Sequence, residues 1–316
     1  MLTRIDTWQR RHGRAAFVVA VVKKFGDDRA SSLAALIAYY AFLSLFPLLL
    51  AFVSVLGFLL EDDPGLQEDI VDSALARIPV IGAQLGDDVQ PLTGSGVALA
   101  IGLVGALWAG LGVTLALGRA FDEIWDVPRL EQRGPLARRA RGAIVLVILA
   151  CVLVAATVAG GVAIAGEVGP IAERIVAAGA SLLVNAAVFM AAFWLLTARP
   201  RRPHDLLPGV LFAAAGWLGL QAAGGWYVTR AIDGAGDTYG AFALVIGLLS
   251  WFWLGSHLLL VAAEVNVVRL RRLWPRSLTG ELEPADRLAM RRFAVATRQD
   301  RRQRVTVTFS DARGDA

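Results

Sequence analysis

Glu264 closes an uncharged, apolar run, Thr238–Ala263, in which His257 lies seven residues earlier and after which Asn266 follows two residues on. Seven residues are two helical turns, so the imidazole and the carboxylate fall on one helix face. Such a pair at a membrane edge has the chemistry of a gate or a coupling site. A bland alternative stands beside it, in which Glu264 simply pairs with a nearby base such as Arg269. Two further apolar runs carry a carboxamide each, Asn185 and Gln221, and another carries Ser44 one turn before Pro47. Proline removes a backbone donor and tends to bend a helix, though such a bend often only fits neighbouring helices. Unpaired polar groups in hydrocarbon are costly, so these side chains should face a bundle interior or a wet cavity. Ser44, Pro47, Asn185, Gln221, His257, Glu264 and Asn266 are therefore the candidate lining or gate of a translocation path. Interhelical hydrogen bonding is the competing role for Asn185 and Gln221, and the preferred one for Thr157 and Ser181.

Enzyme chemistry finds little purchase. The only lysines are Lys23 and Lys24, and no Gly-x-x-x-x-Gly-Lys-Ser/Thr phosphate loop exists. His12, His204 and His257 form no His-x-x-x-His or His-x-His pair, and no Gly-x-Ser-x-Gly elbow occurs. No catalytic residue, metal site or cofactor is expected. Cys151 is the single cysteine, which excludes an intrachain disulfide and reads as a small packed hydrophobe.

The elements that must position these residues are six uncharged runs: Leu33–Leu60, Val97–Gly118, Gly142–Gly166, Ile175–Ala198, Leu206–Thr229 and Thr238–Ala263. About 20 helical residues cross a hydrocarbon core of roughly 30 Å. Backbone groups in lipid must bond within their own segment, so runs of this length are helices. A membrane barrel would show alternating segments of roughly ten residues instead. The fold class is an all-α integral membrane protein with six transmembrane helices. Twenty-eight of the 31 Lys and Arg fall before the first run, between alternate runs, or after the last. The positive-inside bias makes that side cytoplasmic and puts both termini there. The loops on the other side carry twelve of the 27 acids.

Residues 1–32 are read as a cytoplasmic N-terminus, 33–266 as the membrane domain and 267–316 as a basic tail, disordered towards its end. Ala15–Val22 is too short to span and is expected to lie along the inner interface, anchored by Trp8 and Phe25. Lys23, Lys24 and Arg29 beside it are the expected contacts to lipid headgroups. Between Glu61 and Pro79, Leu66, Ile70, Ala74 and Ile78 share one face, which predicts a short external amphipathic helix. Gly102, Gly105, Ala106 and Gly110 give the second span small-residue spacing that permits a dimer without requiring one. Beyond Pro284 the tail turns polar and Arg-rich, and Val305–Phe309, which has no strand partner, is expected to be disordered.

The words Ala38-Tyr39-Tyr40-Ala41-Phe42-Leu43-Ser44-Leu45-Phe46-Pro47-Leu48 resemble the first span of the YihY/BrkB family of bacterial inner-membrane proteins. Pro208-Gly209, Tyr239-Gly240-Ala241-Phe242, Leu249-Ser250-Trp251-Phe252-Trp253 and Ala263-Glu264-Val265-Asn266 are similar to its later spans. The resemblance covers roughly residues 15–275; Ala262 departs from it, standing where the family pattern has Gly. It implies an envelope function. The expected function is movement of lipids or envelope precursors by a transporter or flippase-like protein without its own ATPase. The expected partners are membrane lipids, with a homo-oligomer or envelope-assembly proteins as further partners and no nucleic acid. The alternative is a scaffold subunit that recruits partners through its tail. A ribonuclease label attached to the family has no metal-ligand cluster here to support it.

Overall fold

Proline at the first helical turn fixes φ and gives up an N–H that would have no partner there. Four helices begin this way, on Pro135, Pro170, Pro203 and Pro284. The computed structural model describes residues 2–59, 96–163, 170–198, 202–232, 240–279, 282–300 and 302–309. Among these, the helices are α1 (Leu2–Arg11), α2 (Gly13–Asp27), α3 (Ala30–Leu59), α4 (Gly96–Ile124), α5 (Pro135–Ala163), α6 (Pro170–Leu196), α7 (Pro203–Ile232), α8 (Gly240–Arg271) and α9 (Pro284–Ala296). The region expected to hold the external amphipathic helix lies outside the described residues.

Five helices, α3, α4, α6, α7 and α8, are long and apolar enough to cross a membrane. The sixth, α5, is 29 residues long, or roughly 43 Å at about 1.5 Å per residue. Each of the six packs on the next, and α8 returns to α3, so they close a ring. Additional contacts from α4 to α6 and α8 place α4 towards its middle. Large apolar side chains point outward: Trp108 is 78% exposed, and Val104, Leu183 and Ile246 are exposed with it. Cys151 also faces outward, and is not a packed core thiol.

The interior sets small residues among large buried ones such as Phe121, Ile124, Phe193 and Leu260. Ala30, Ala34, Ala120, Ala213 and Ala262 are completely buried. Lipid is as apolar as leucine, so helices associate here through close packing and polar ties. A Cβ on Gly105 would stand 3.0 Å from Pro47, and one on Gly112 would stand 2.9 Å from the Tyr40 ring. Those two glycines let α4 lie against α3. Gly110 faces Leu146 of α5 in the same way, at 3.1 Å. The tightest approach joins α7 to α8. A Cβ on Gly209 would overlap the Ala262 carbonyl and come within 2.6 Å of Asn266 Cγ. Ala262 is fully buried at this contact, so the departure from the family glycine does not open the packing.

Polar ties gather where the chain ends meet. Arg276 is buried and donates to Asp286 Oδ1 at 2.8 Å and to Asp27 Oδ2 at 2.7 Å. Lys23 adds bonds to Ser277 O (2.6 Å) and Asp286 Oδ1 (2.8 Å). Asp6 accepts from Leu278 N–H, Gln9, Thr279 and Arg10. Burial alone would raise Asp6, but these donors pull it down to about 2. Asp6, Arg10, Lys23 and Asp27 thus form, with residues 276–279, Glu283 and Asp286, one polar plate across the terminal end of the bundle. Asp286 is also the reason that α9 exists. With Glu283 it forms a reciprocal capping box, and Pro284 follows at the first helical position. Local capping and the buried carboxylate order residues 284–296 within the Arg-rich tail, whereas Val305–Phe309 has no regular structure.

Gly209→Ala should lower stability by about 1–3 kcal/mol through overpacking. Gly219→Ala, on the same helix with open space around its Cβ position, should raise it by about 0.5–1 kcal/mol. Thermal or denaturant unfolding in micelles reads both, and equal shifts would contradict the tight α7–α8 contact.

Candidate functional site

Lys24 lies on the last turn of α2, four residues before Asp28, so the two side chains meet on one helix face. Its ammonium bonds the Asp28 carboxylate and donates to the Ile124 carbonyl at 3.0 Å. It stands 3.7 Å from Asp126 Oδ1 and 3.9 Å from Glu264 Oε2. Only 3% of its side chain is exposed. One cation therefore joins α2, the approach to α3, the end of α4 and the last turns of α8.

Asp126 reaches this position through the backbone. Val127 N–H bonds Asp122 O and Asp126 N–H bonds Glu123 O, both at 2.9 Å, which ends α4 in a Schellman turn. The residue at that turn is left-handed, φ 44°, a site where glycine is usual. Aspartate holds it here and pairs with Arg271, which also donates to Trp125 O and lies over the Trp125 ring. Asp122, one turn earlier, accepts the Ala198 N–H at 2.8 Å and ties α4 to the end of α6.

Three carboxylates, Asp28, Asp126 and Glu264, thus meet two cations, Lys24 and Arg271. Glu264 is 0% exposed, and neither of its oxygens receives a hydrogen bond. Its carboxyl also lies close enough to Asp28 for the two to share a proton. With both ionised, both are acceptors and no bond forms between them; one proton turns the pair into a carboxyl–carboxylate hydrogen bond. Burial is the main influence on Asp28 and, against the pull of Lys24, raises it to about 6. Lys24 responds in the opposite sense. Burial alone would lower it, but Glu264, Asp28 and Asp126 overcome that and hold the ammonium above its ordinary value. Among the described residues no group of three His, Cys, Asp or Glu is placed to hold a metal ion.

The residues singled out as a path are only partly brought together. Glu264 faces this cluster, and its cation is Lys24, whereas Arg269 is exposed. Asn266 Oδ1 accepts the Gly209 N–H at 2.7 Å, while its Nδ2 is buried without a partner. His257 lies two turns away along α8, bonded to Trp253 O (2.9 Å) and within 3.3 Å of Ser31 Oγ. The others satisfy themselves locally or face outward. Ser44 donates to Ala41 O, and Asn185 donates to Ser181 O and Oγ, each within its own helix. Pro47 packs on Gly105, and Gln221 is exposed. Thr157 lies where no side chain is described.

The headgroup reading needs correction at two residues. Lys24 is buried among carboxylates, because their combined attraction outweighs its desolvation, and so it does not face lipid headgroups. Lys23 is held by Ser277 and Asp286 within the plate. Arg29 is exposed, at a left-handed φ of 52°. Phe25 packs on His257 and does not anchor outward, whereas Trp8 is exposed. Asp28, Asp126 and Arg271 had no place in the sequence reading. The Lys24–Asp28 spacing signals one bond, but nothing local announces that Asp126 and Glu264 come to the same cation.

The fold and this cluster define a polytopic helical membrane protein with a buried ion cluster at its terminal end. The chain belongs to the Virulence factor BrkB family, whose sequence model matches residues 21–284. Putative ribonuclease-like protein YfkH of Bacillus subtilis (strain 168) is 23% identical over 274 residues, covering 81% of this chain and 96% of that protein. Inner membrane protein YhjD of Escherichia coli (strain K12) is 24% identical over 270 residues, 78% of this chain and 79% of that protein. No solved structure matches the chain. The matched region contains Lys24, Asp28, Asp126, Glu264 and Arg271.

Lys24→Met leaves three carboxylates facing one remaining cation and should destabilise the fold by about 3–5 kcal/mol. The pH dependence has a defined sign. Asp28 is raised in the folded state, so its contribution is fully present below about 3.8 and is lost as pH rises through about 6. The folded protein should therefore lose stability between about pH 4 and pH 6 relative to Asp28→Asn, which has no proton to release. Melting both proteins across that interval checks it; parallel curves would remove Asp28 from the titration.

Proposed function

We propose that the protein moves a lipid or lipid-linked envelope precursor across the bacterial inner membrane without ATP hydrolysis of its own. The supporting observation is Glu264: a fully buried carboxyl, unbonded when ionised, facing Asp28 at one end of a closed six-helix ring. A stable protein that retains such a group holds a place where a proton or polar cargo changes the local energy. Proton loading at the Asp28–Glu264 pair would loosen or tighten Lys24, and with it the junction of α2, α3, α4 and α8. The basic terminal side then faces the cytoplasm, as the positive-inside bias requires. The name of the Escherichia coli relative agrees with an inner-membrane location. On this reading the protein is not an enzyme, and its immediate partners are lipids.

A scaffold role is the second reading, favoured by α9. That helix exposes Leu288, Met290 and Phe293 beside Arg287 and Arg291, both of which lie over the Phe309 ring. The change separating the two readings must spare Asp286, so it belongs on the exposed face itself, with Leu288, Met290 and Phe293 each replaced by Ser.

The transport reading is tested in liposomes with labelled anionic and zwitterionic lipids, following movement between leaflets by the purified chain. Glu264→Gln keeps the shape and replaces the titrating group with an amide. Wild-type protein should move lipid, and the variant should move it at least tenfold more slowly with its melting transition retained. Well-folded wild-type protein that moves neither lipid would end this reading and favour the scaffold.

A further inference from the structure

Three arginines converge where α4, α5 and α6 meet at the terminal end of the bundle. Arg133, Arg138 and Arg141 line a small crevice closed by Thr114 and Gly118 of α4 and by Leu196 at the end of α6. Arg133 and Arg141 both donate to the Leu195 carbonyl, at 2.9 and 3.3 Å, and Arg138 Nε donates to Arg133 O at 2.9 Å. Capping the negative end of α6 explains those bonds, but it uses few of the five N–H donors on each guanidinium. Among the described residues none of the three forms an ion pair. Asp122 acts on Arg133 and Arg138, and it is engaged by Ala198 N–H. Burial, with Arg141 close by, holds Arg133 below its ordinary value, and Asp122 pulls the other way. Three positive charges face one negative, beside the N-terminus of α5, whose dipole also favours an anion.

We propose that Arg133, Arg138 and Arg141 form a binding site for the phosphate group of an anionic ligand at the terminal face of the membrane. The forked geometry of guanidinium matches phosphate oxygens two at a time, and partial burial strengthens the bonds. The crevice sits where the uncharged run of α5 begins, at Gly142, which is the level of lipid phosphates. The phosphate therefore comes either from a phospholipid headgroup or from a soluble phosphate. The site is separate from the Lys24 cluster and does not depend on the transport reading.

The test uses the full chain in micelles and isothermal titration with dihexanoyl phosphatidylglycerol, dihexanoyl phosphatidylcholine and inorganic phosphate. Phosphatidylglycerol should bind at least tenfold more tightly than phosphatidylcholine. Arg138→Gln should weaken it at least tenfold, while Arg139→Gln, an exposed arginine on the same turn, should leave it unchanged. Arg133→Lys keeps the charge but loses the fork, and should weaken binding too, which keeps the test decisive if Arg138→Gln fails to fold. Competition by inorganic phosphate would make the bare phosphate the recognised group; lipid binding without competition would make it the headgroup. Equal losses in Arg138→Gln and Arg139→Gln would reduce the effect to general surface charge and overturn the site. So would equal affinity for the two lipids, or no binding.

Discussion

A single buried ammonium holds the terminal end of this bundle together. Lys24 contacts two acids from loop positions, Asp28 and Asp126, one acid from within α8, and the last carbonyl of α4. Remove its charge and what remains is a set of carboxylates in a low-dielectric site with only Arg271 beside them. The helices that meet there have no hydrophobic reason to prefer one another over lipid. Elsewhere their association rests on alanine and glycine contacts and on the apolar cluster of Phe121, Ile124, Phe193 and Leu260, none of which fixes charge. The charged hub does, so it sets which ends of α2, α4 and α8 lie together.

Much of this architecture was legible in the sequence. The six spans follow from uncharged length, whereas the helix starts at Pro135, Pro170, Pro203 and Pro284 come from the structure. The small residues of the second span were readable as a packing face, and Gly105 and Gly112 do meet Pro47 and Tyr40. The inner cluster was half visible: Glu264 stood out because an acid at the end of an apolar run needs an explanation. Its partner did not, since Lys24 is 240 residues away and adjacent in sequence to a lysine that goes elsewhere. Basic residues near a membrane edge look alike in one dimension. Lys23, Lys24 and Arg29 have three different surroundings, and only burial separates them.

The intramembrane amides and hydroxyls teach a related lesson. Ser44 and Asn185 bond back to carbonyls three and four residues earlier, which a helix always offers. A polar residue in an apolar run is thus a weak sign of a path, because its own backbone is the nearest partner. A carboxylate has no such escape: helix carbonyls cannot donate, so an ionised Glu264 needs a donor from another element or a proton.

Charge balance ties the two polar regions of the terminal end to different tasks. In the plate around Asp6, Arg276 and Asp286, donors outnumber what the acids require, and both Asp6 and Asp286 are held below their ordinary values. Such a network stays ionised and fixed over any physiological pH, which suits a permanent joint between the chain ends. Around Lys24 the acids are in excess and Asp28 is raised to about 6 instead. That site carries a carboxyl raised towards neutral pH beside the same α2 that the plate clamps from its other side. A fully paired joint and an acid-rich one thus share a single short helix, so the charge balance around Lys24 bears on α4 and α8 while Arg276 and Asp286 tie the chain ends.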